Sequence, residues 1–192
     1  MLYLSKLLSR DYVYDAVSLT TTLTLHGVRF QYVLNTRDIW LRDFMPVQPR
    51  TRRLVSFRYE PSYLAKFPKL RTDFRRDIAQ SFGCSVVYSD INLDGGNVVF
   101  SPSKETAVIS DRIFSENPAV PRKKLVDELE QMLQAEVILI PALKHDMTGH
   151  ADGMVRFVDE KTALGNDIRI RDGLERRIKH ILKETGIHVI DF

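Results

Sequence analysis

One order of elements recurs three times along the chain and constrains the fold more than any other feature. Two short strand-like runs are followed by an amphipathic helix and a closing strand. In the first round, residues 45–48 and 54–59 read as strands. A helix is expected over about 70–82, because Leu70, Phe74, Ile78 and Phe82 recur at helical spacing and share one face. Gly83 ends it, and residues 84–88 close the round. In the second round the strands are 97–101 and 106–110. Pro121 opens the helix, Leu125, Leu129, Met132 and Leu133 form its apolar face, and 137–140 is the closing strand. In the third the strands are 154–158 and 162–164. The helix runs from about Asp172 to Glu184 with Leu174, Ile178, Ile181 and Leu182 on one side, Gly186 caps it, and 188–191 is the last strand.

A partial unit leads. Leu2, Leu4, Leu7 and Leu8 suggest a short amphipathic start, a helix is expected over 15–25 and a strand over 29–34, with Gly27 between them. The units are thus about 43–92, 93–143 and 150–192, with 1–42 in front, and the fold class is α/β in one domain. Each full unit opens on an aspartate: Asp43, Asp94 and Asp152, roughly 50–60 residues apart. A period of that length fits a propeller-like or stacked array, in which equivalent strand starts converge on one end of an axis. Carboxylates gathered there are costly unless a cation joins them. The competing reading is that aspartate is simply common at loop-to-strand junctions.

Charge and cysteine usage narrow the partners. The net charge is +3, from 28 basic and 25 acidic residues, and the basic residues are spread rather than clustered. A nucleic-acid partner is not expected from such a distribution. One cysteine, Cys84, excludes an internal disulfide and fits a reducing, cytoplasmic setting. No apolar run approaches the roughly 20 residues of a membrane span. The N-terminus has no long apolar core with a small-residue cleavage site, so no signal peptide is read there. A homo-oligomer is compatible with all of this.

The densest chemistry lies in Thr148-Gly149-His150-Ala151-Asp152-Gly153-Met154-Val155-Arg156-Phe157. An imidazole and a carboxylate two apart, entering a strand, would point to one face because strand side chains alternate. Such a pair can move protons beside a bound cation, hold a metal, or be an idle surface pair. His145, Asp146, His150 and Asp152 have residue types that suit zinc or iron, but nothing fixes His145 relative to His150. His26, His180 and His188 have no constellation around them.

Three segments together resemble the agmatine deiminase and bacterial-type peptidylarginine deiminase family, of the guanidino-group-modifying pentein superfamily. They are Asp38-Ile39-Trp40-Leu41-Arg42-Asp43-Phe44-Met45-Pro46, Leu93-Asp94-Gly95-Gly96-Asn97 and Gly149-His150-Ala151-Asp152-Gly153. The resemblance implies a five-bladed α/β propeller with the active site on its axis. The units above would supply about three of the five blades. It implies hydrolysis of a guanidinium, in agmatine, free arginine or peptidyl-arginine, to a ureido group and ammonia without metal or organic cofactor. Asp43 and Asp152 match the guanidinium-binding aspartates, which suits a planar cation held by bidentate, charge-assisted bonds. His150 matches the general acid/base. Asp94 and Asn97 match a site-lining segment, and Trp40 and Arg42 a supporting one, with Trp40 expected in the core rather than stacked on substrate.

One feature departs from the family. Its cysteine nucleophile, which would form a covalent adduct at the guanidinium carbon, has no matching motif. Cys84 is out of phase with the aspartates and reads as a small buried hydrophobe. The chain ends on the apolar run 188–192, so a C-terminally incomplete member is expected. A catalytically inactive guanidinium-binding module stays open beside it.

Overall fold

The computed structural model describes residues 1–51, 53–83, 85–166 and 173–191. Cys84, Asp172 and Phe192, named above, lie outside the described residues. In chain order the elements are β1 (Leu2–Ser5), α1 (Leu8–Asp11), α2 (Val13–Leu25), β2 (Phe30–Val33), α3 (Leu41–Phe44), β3 (Leu54–Arg58), α4 (Ala79–Phe82), β4 (Val86–Asn92), β5 (Val99–Phe100), β6 (Thr106–Ser110), α5 (Arg112–Glu116), α6 (Arg122–Leu133), β7 (Glu136–Ile140), β8 (Val155–Phe157), β9 (Thr162–Gly165), α7 (Leu174–Glu184) and β10 (His188–Asp191).

The described strands pair into four small open sheets: β1-β2, β3-β4, β5-β6-β7 and β8-β9-β10. In both three-stranded sheets the first two strands are antiparallel, and the strand after the helix returns parallel to the second. The parallel return is what a helical crossover permits, since a tight hairpin can only join antiparallel strands. The β3-β4 pair is also parallel, and its first strand is reduced to a single antiparallel bridge between Val47 and Val55. The leading unit keeps only the parallel pair across α2.

Helices α6 and α7 are each wedged between their own sheet and the sheet of the unit before it. Leu125, Leu129 and Leu133 of α6 are fully buried among Ala107 and Ile109 of β6 on one side and Val55, Phe57 and Ile91 of the preceding unit on the other. Leu174, Ile178 and Leu182 of α7 pack in the same way on Ala163 of β9 and on Val108, Ile138 and Ile140 of the preceding sheet. Phe74 and Ile78 pack with Val33 of the leading unit. Each such side chain contributes on the order of 1.5–3 kcal/mol by leaving water. In α2 the single buried residue is Ala16, while Tyr14 is 92% exposed.

Several expectations need correction. Residues 2–5 form a strand, β1, rather than an amphipathic start, and α1 follows at Leu8. The helix expected from Leu70 begins at Phe74. Its first turn is a π-helix, Phe74–Ile78, capped by the Asp73 side chain accepting from Arg76 N–H, and Leu70 sits outside it in a separate short 3-10 turn, exposed. The strand expected at 97–101 is a 3-10 turn at Gly95–Asn97 followed by only Val99–Phe100. Helix α5 was not expected, because four to five residues are too short to show a period. No described helix is long and apolar enough to cross a membrane.

Candidate active site

Three short helical turns carry or adjoin the candidate residues, and in the second and third units the first strand begins one residue after the turn's cap. They are α3, the 3-10 turn Gly95–Asn97 and the 3-10 turn Ala151–Gly153, followed by Met45, Val98 and Met154. His150 and Asp152 are therefore not alternate residues of a strand. His150 precedes its turn in extended conformation and Asp152 lies within it. Counted back from Met45, Val98 and Met154, Asp43 and Asp152 hold equivalent places, and the middle unit has Gly96 there. Asp94 is instead in phase with His150, since each stands just before its 3-10 turn. The three aspartates converge as expected but do not occupy one repeated position.

The turns meet tightly. A Cβ at Gly95 would lie 2.1 Å from the Arg42 carbonyl oxygen, and one at Gly96 would lie 2.5 Å from His150 Nδ1 and 2.6 Å from Asp43 Oδ1. Gly96 thus leaves the space in which those two side chains face each other. His150 Nε2 is 2.7 Å from Asp94 Oδ2, and His150 Nδ1 is 3.6 Å from Asp43 Oδ1. With Asp94 a carboxylate, Nε2 carries the proton and donates it. Nδ1 is then the nitrogen turned toward Asp43. His150 and Asp94 are each 8% exposed and Asp43 is 14% exposed, so little water screens the cluster.

Asn97 ties the turns together. Its Oδ1 accepts from Ser110 N–H at 2.9 Å and from Ala151 N–H at 3.1 Å, so its amide organises backbone and is not turned to a ligand. Arg42 donates to the Val98 carbonyl, and burial pushes its guanidinium down from its ordinary value against the charges of Asp152 and Asp43. Trp40, expected in the core, is 64% exposed just before α3. His145 and Asp146 are both exposed. Asp146 Oδ1 accepts from Thr148 N–H, Thr148 Oγ1 and Gly149 N–H, which shapes the approach to His150. Among the described residues no group of three or more His, Cys, Asp and Glu is arranged to hold a metal ion.

Burial pushes the Asp43 carboxyl up to about 6. Asp94 and Asp152 push the same way, while His150 and the Gly96 N–H pull it down. For His150, burial works against the charged form but is outweighed by the Asp94 hydrogen bond and the charges of Asp43, Asp94 and Asp152, so its proton affinity rises. Protons in this cluster belong to the coupled group rather than to one residue. With Asp43, Asp94 and Asp152 facing one another beside His150, the cluster favours a bound cation.

Two residues without a sequence signal also reach the cluster. Tyr63 O–H donates to Asp94 Oδ2 at 3.1 Å, and the Tyr59 and Tyr63 hydroxyls are 3.5 Å apart. They come from the connection between β3 and α4, which has no motif, and 31 residues separate Tyr63 from Asp94.

The sequence profile of the Porphyromonas-type peptidyl-arginine deiminases matches residues 7–180. The chain belongs to this family. Comparison with curated proteins gives no match. Among solved structures, an agmatine deiminase of C. jejuni with substrate bound is similar at a TM-score of 0.64 and 19% identity, over 85% of this chain and 53% of that one. The agmatine deiminase of Enterococcus faecalis gives 0.67 and 17%, over 85% and 51%. DDAH from Pseudomonas aeruginosa, complexed with citrulline, gives 0.55 and 8%, over 93% and 64%. These likenesses show a shared mixed α/β fold. The chain spans about half the length of the agmatine deiminases it matches.

Proposed function

We propose that the cluster of Asp43, Asp94, His150 and Asp152 is the guanidinium-binding and proton-transfer part of a deiminase-type hydrolase. Guanidinium and water become a ureido group and ammonium. Asp43 and Asp152 receive the planar cation through charge-assisted N–H bonds, and His150 Nδ1 moves the protons as water adds and ammonia leaves. Asp94 keeps the Nε2 proton in place. The observation that carries this reading is the buried His150–Asp94 pair, with its second imidazole nitrogen turned to a carboxylate whose charge burial disfavours. The family supports the substrate class, and agmatine deiminases are among the solved structures it resembles. The further blades of a five-bladed propeller, and the cysteine nucleophile that has no matching motif in this chain, belong to the same proposal.

Isothermal titration of the chain with agmatine and with an arginine peptide, run beside an ammonia assay, tests it. Saturable binding is expected, weakened about tenfold or more in Asp152→Asn, because a neutral amide loses a charge-assisted pair. His150→Ala should retain the fold and stop any ammonia release. Binding without ammonia keeps the guanidinium site and removes turnover from this chain. No binding of either ligand contradicts the reading.

A further inference from the structure

Tyr63 is a half-buried titratable group that the proposed reaction does not use. Its hydroxyl donates to the same Asp94 oxygen, Oδ2, that takes His150 Nε2–H, so one carboxylate oxygen has two donors. Its ring meets the imidazole edge-on, with centroids 6.2 Å apart, and the Arg112 guanidinium lies over the same Tyr63 ring, 5.6 Å from its centroid.

The backbone around Tyr63 is anchored from outside the site. Ser62 N–H and Oγ both donate to the Glu116 carboxylate, at 2.9 and 2.6 Å, and Arg112 donates to Ser62 Oγ and pairs with Glu116. Glu60 N–H donates to Asn92 Oδ1, whose amide returns to the Glu60 carbonyl. A 3-10 turn, Ser62–Leu64, thus holds the phenol in place from both sides. Helix α5 serves as the anchor, which gives that short element a purpose beyond connection.

We propose that Tyr63 is a positioning residue: by sharing Asp94 Oδ2 with His150 it orients the Asp94 carboxylate against the imidazole and moderates how strongly Asp94 holds the imidazole proton. This rests on the reading of His150 as the proton-transfer group. The charged and titratable groups facing the imidazole are Asp43, Asp94 and Asp152, with Asp146 on the loop before it, Tyr63 on its edge and Arg112 against the Tyr63 ring. Without the phenol, Asp94 loses a donor that stabilises its charge in place. The Asp94–His150 pair then binds its proton more tightly, whichever partner is said to hold it.

The test is an NMR titration of the His150 ring nitrogens in the intact chain. Tyr63→Phe should raise the midpoint by about half to one pH unit, the equivalent of one lost hydrogen bond. The neutral form should stay the Nε2–H tautomer, since Asp94 becomes the stronger acceptor. Tyr59→Phe, which leaves the Asp94 bond intact, should shift the midpoint by much less. An unchanged or lowered midpoint in Tyr63→Phe overturns the proposal. If that variant does not fold, the wild-type chain with labelled tyrosine decides: the Tyr63 Cζ resonance should follow the His150 midpoint, and a resonance blind to it overturns the proposal. Agmatine added to the same samples separates the two claims. A shifted midpoint without agmatine binding keeps the network and refutes the guanidinium site; binding without the shift does the reverse.

Discussion

At Asp43, burial and two neighbouring carboxylates raise the proton affinity to about 6, so the folded chain holds this proton more tightly than the unfolded chain does. A raised carboxyl contributes stability in full below its unfolded value near 4 and loses it as pH rises through about 6. His150 is raised too, and its contribution is lost above 6.5. Both trends point the same way. Asp43→Asn should therefore remove the Asp43 part of the fall in unfolding free energy between pH 4 and 7, on the order of 1–3 kcal/mol. A variant with an undiminished slope contradicts the placement of Asp43. At this scale the sequence was informative about identity and poor about geometry. Asp43, Asp94 and His150 were singled out and do meet. Their phase was misread, because an aspartate can stand before a turn or inside it, and spacing alone does not tell these apart. Tyr63 was invisible because its partner lies far along the chain in a different unit.

The turns that carry the site show how two adjacent glycines differ. At Gly95 an added Cβ meets the Arg42 backbone carbonyl, which cannot step aside without moving α3. At Gly96 it meets the ends of the His150 and Asp43 side chains. Gly95→Ala is expected to destabilise the whole chain by about 1–3 kcal/mol or more in chemical denaturation. Gly96→Ala should keep most of the stability but displace the imidazole, seen as a changed His150 titration; equal destabilisation by both would refute this division. Among the helices, Leu129→Ala should cost about 2–5 kcal/mol, since its site is fully buried between two sheets and cannot collapse easily. Helices α6 and α7 were legible because leucine and isoleucine recur four apart on one face. The helix at Phe74 was legible only in part. Its apolar spacing runs back to Leu70, but Asp73 caps the backbone at Phe74 and the first turn widens to a π-helix.

Across the whole molecule, the alternating order of sheet and helix makes each unit depend on the one before it. The interior sheet, β5-β6-β7, has a helix on both faces, and Ala107, Val108 and Ile109 of β6 are fully buried. The leading pair β1-β2 has helix α2 with one buried residue. Stability in such an array is a sum of neighbour contacts, so it should not be uniform. Amide hydrogen exchange is expected to be slowest in β6 and β7 and fastest in α2 and β1; uniform protection would contradict the nearest-neighbour packing. The repeat order was legible because patterning and turn residues change together at each junction. The neighbouring-sheet contact of each helix was not, because apolar residues at helical spacing do not say which sheet they face.

The reading of the cluster as a guanidinium site turns on whether Asp43 must lose its proton to bind a cation. The affinity for agmatine, measured by calorimetry at pH 5 and at pH 7.5, tests this. It should rise by about tenfold between the two for the wild-type chain, because the carboxyl that titrates near 6 has to be ionised to pair. In Asp43→Asn the binding should be weaker and lose that part of the pH dependence. The same affinity at both pH values, or a pH dependence unaltered in Asp43→Asn, would contradict the account.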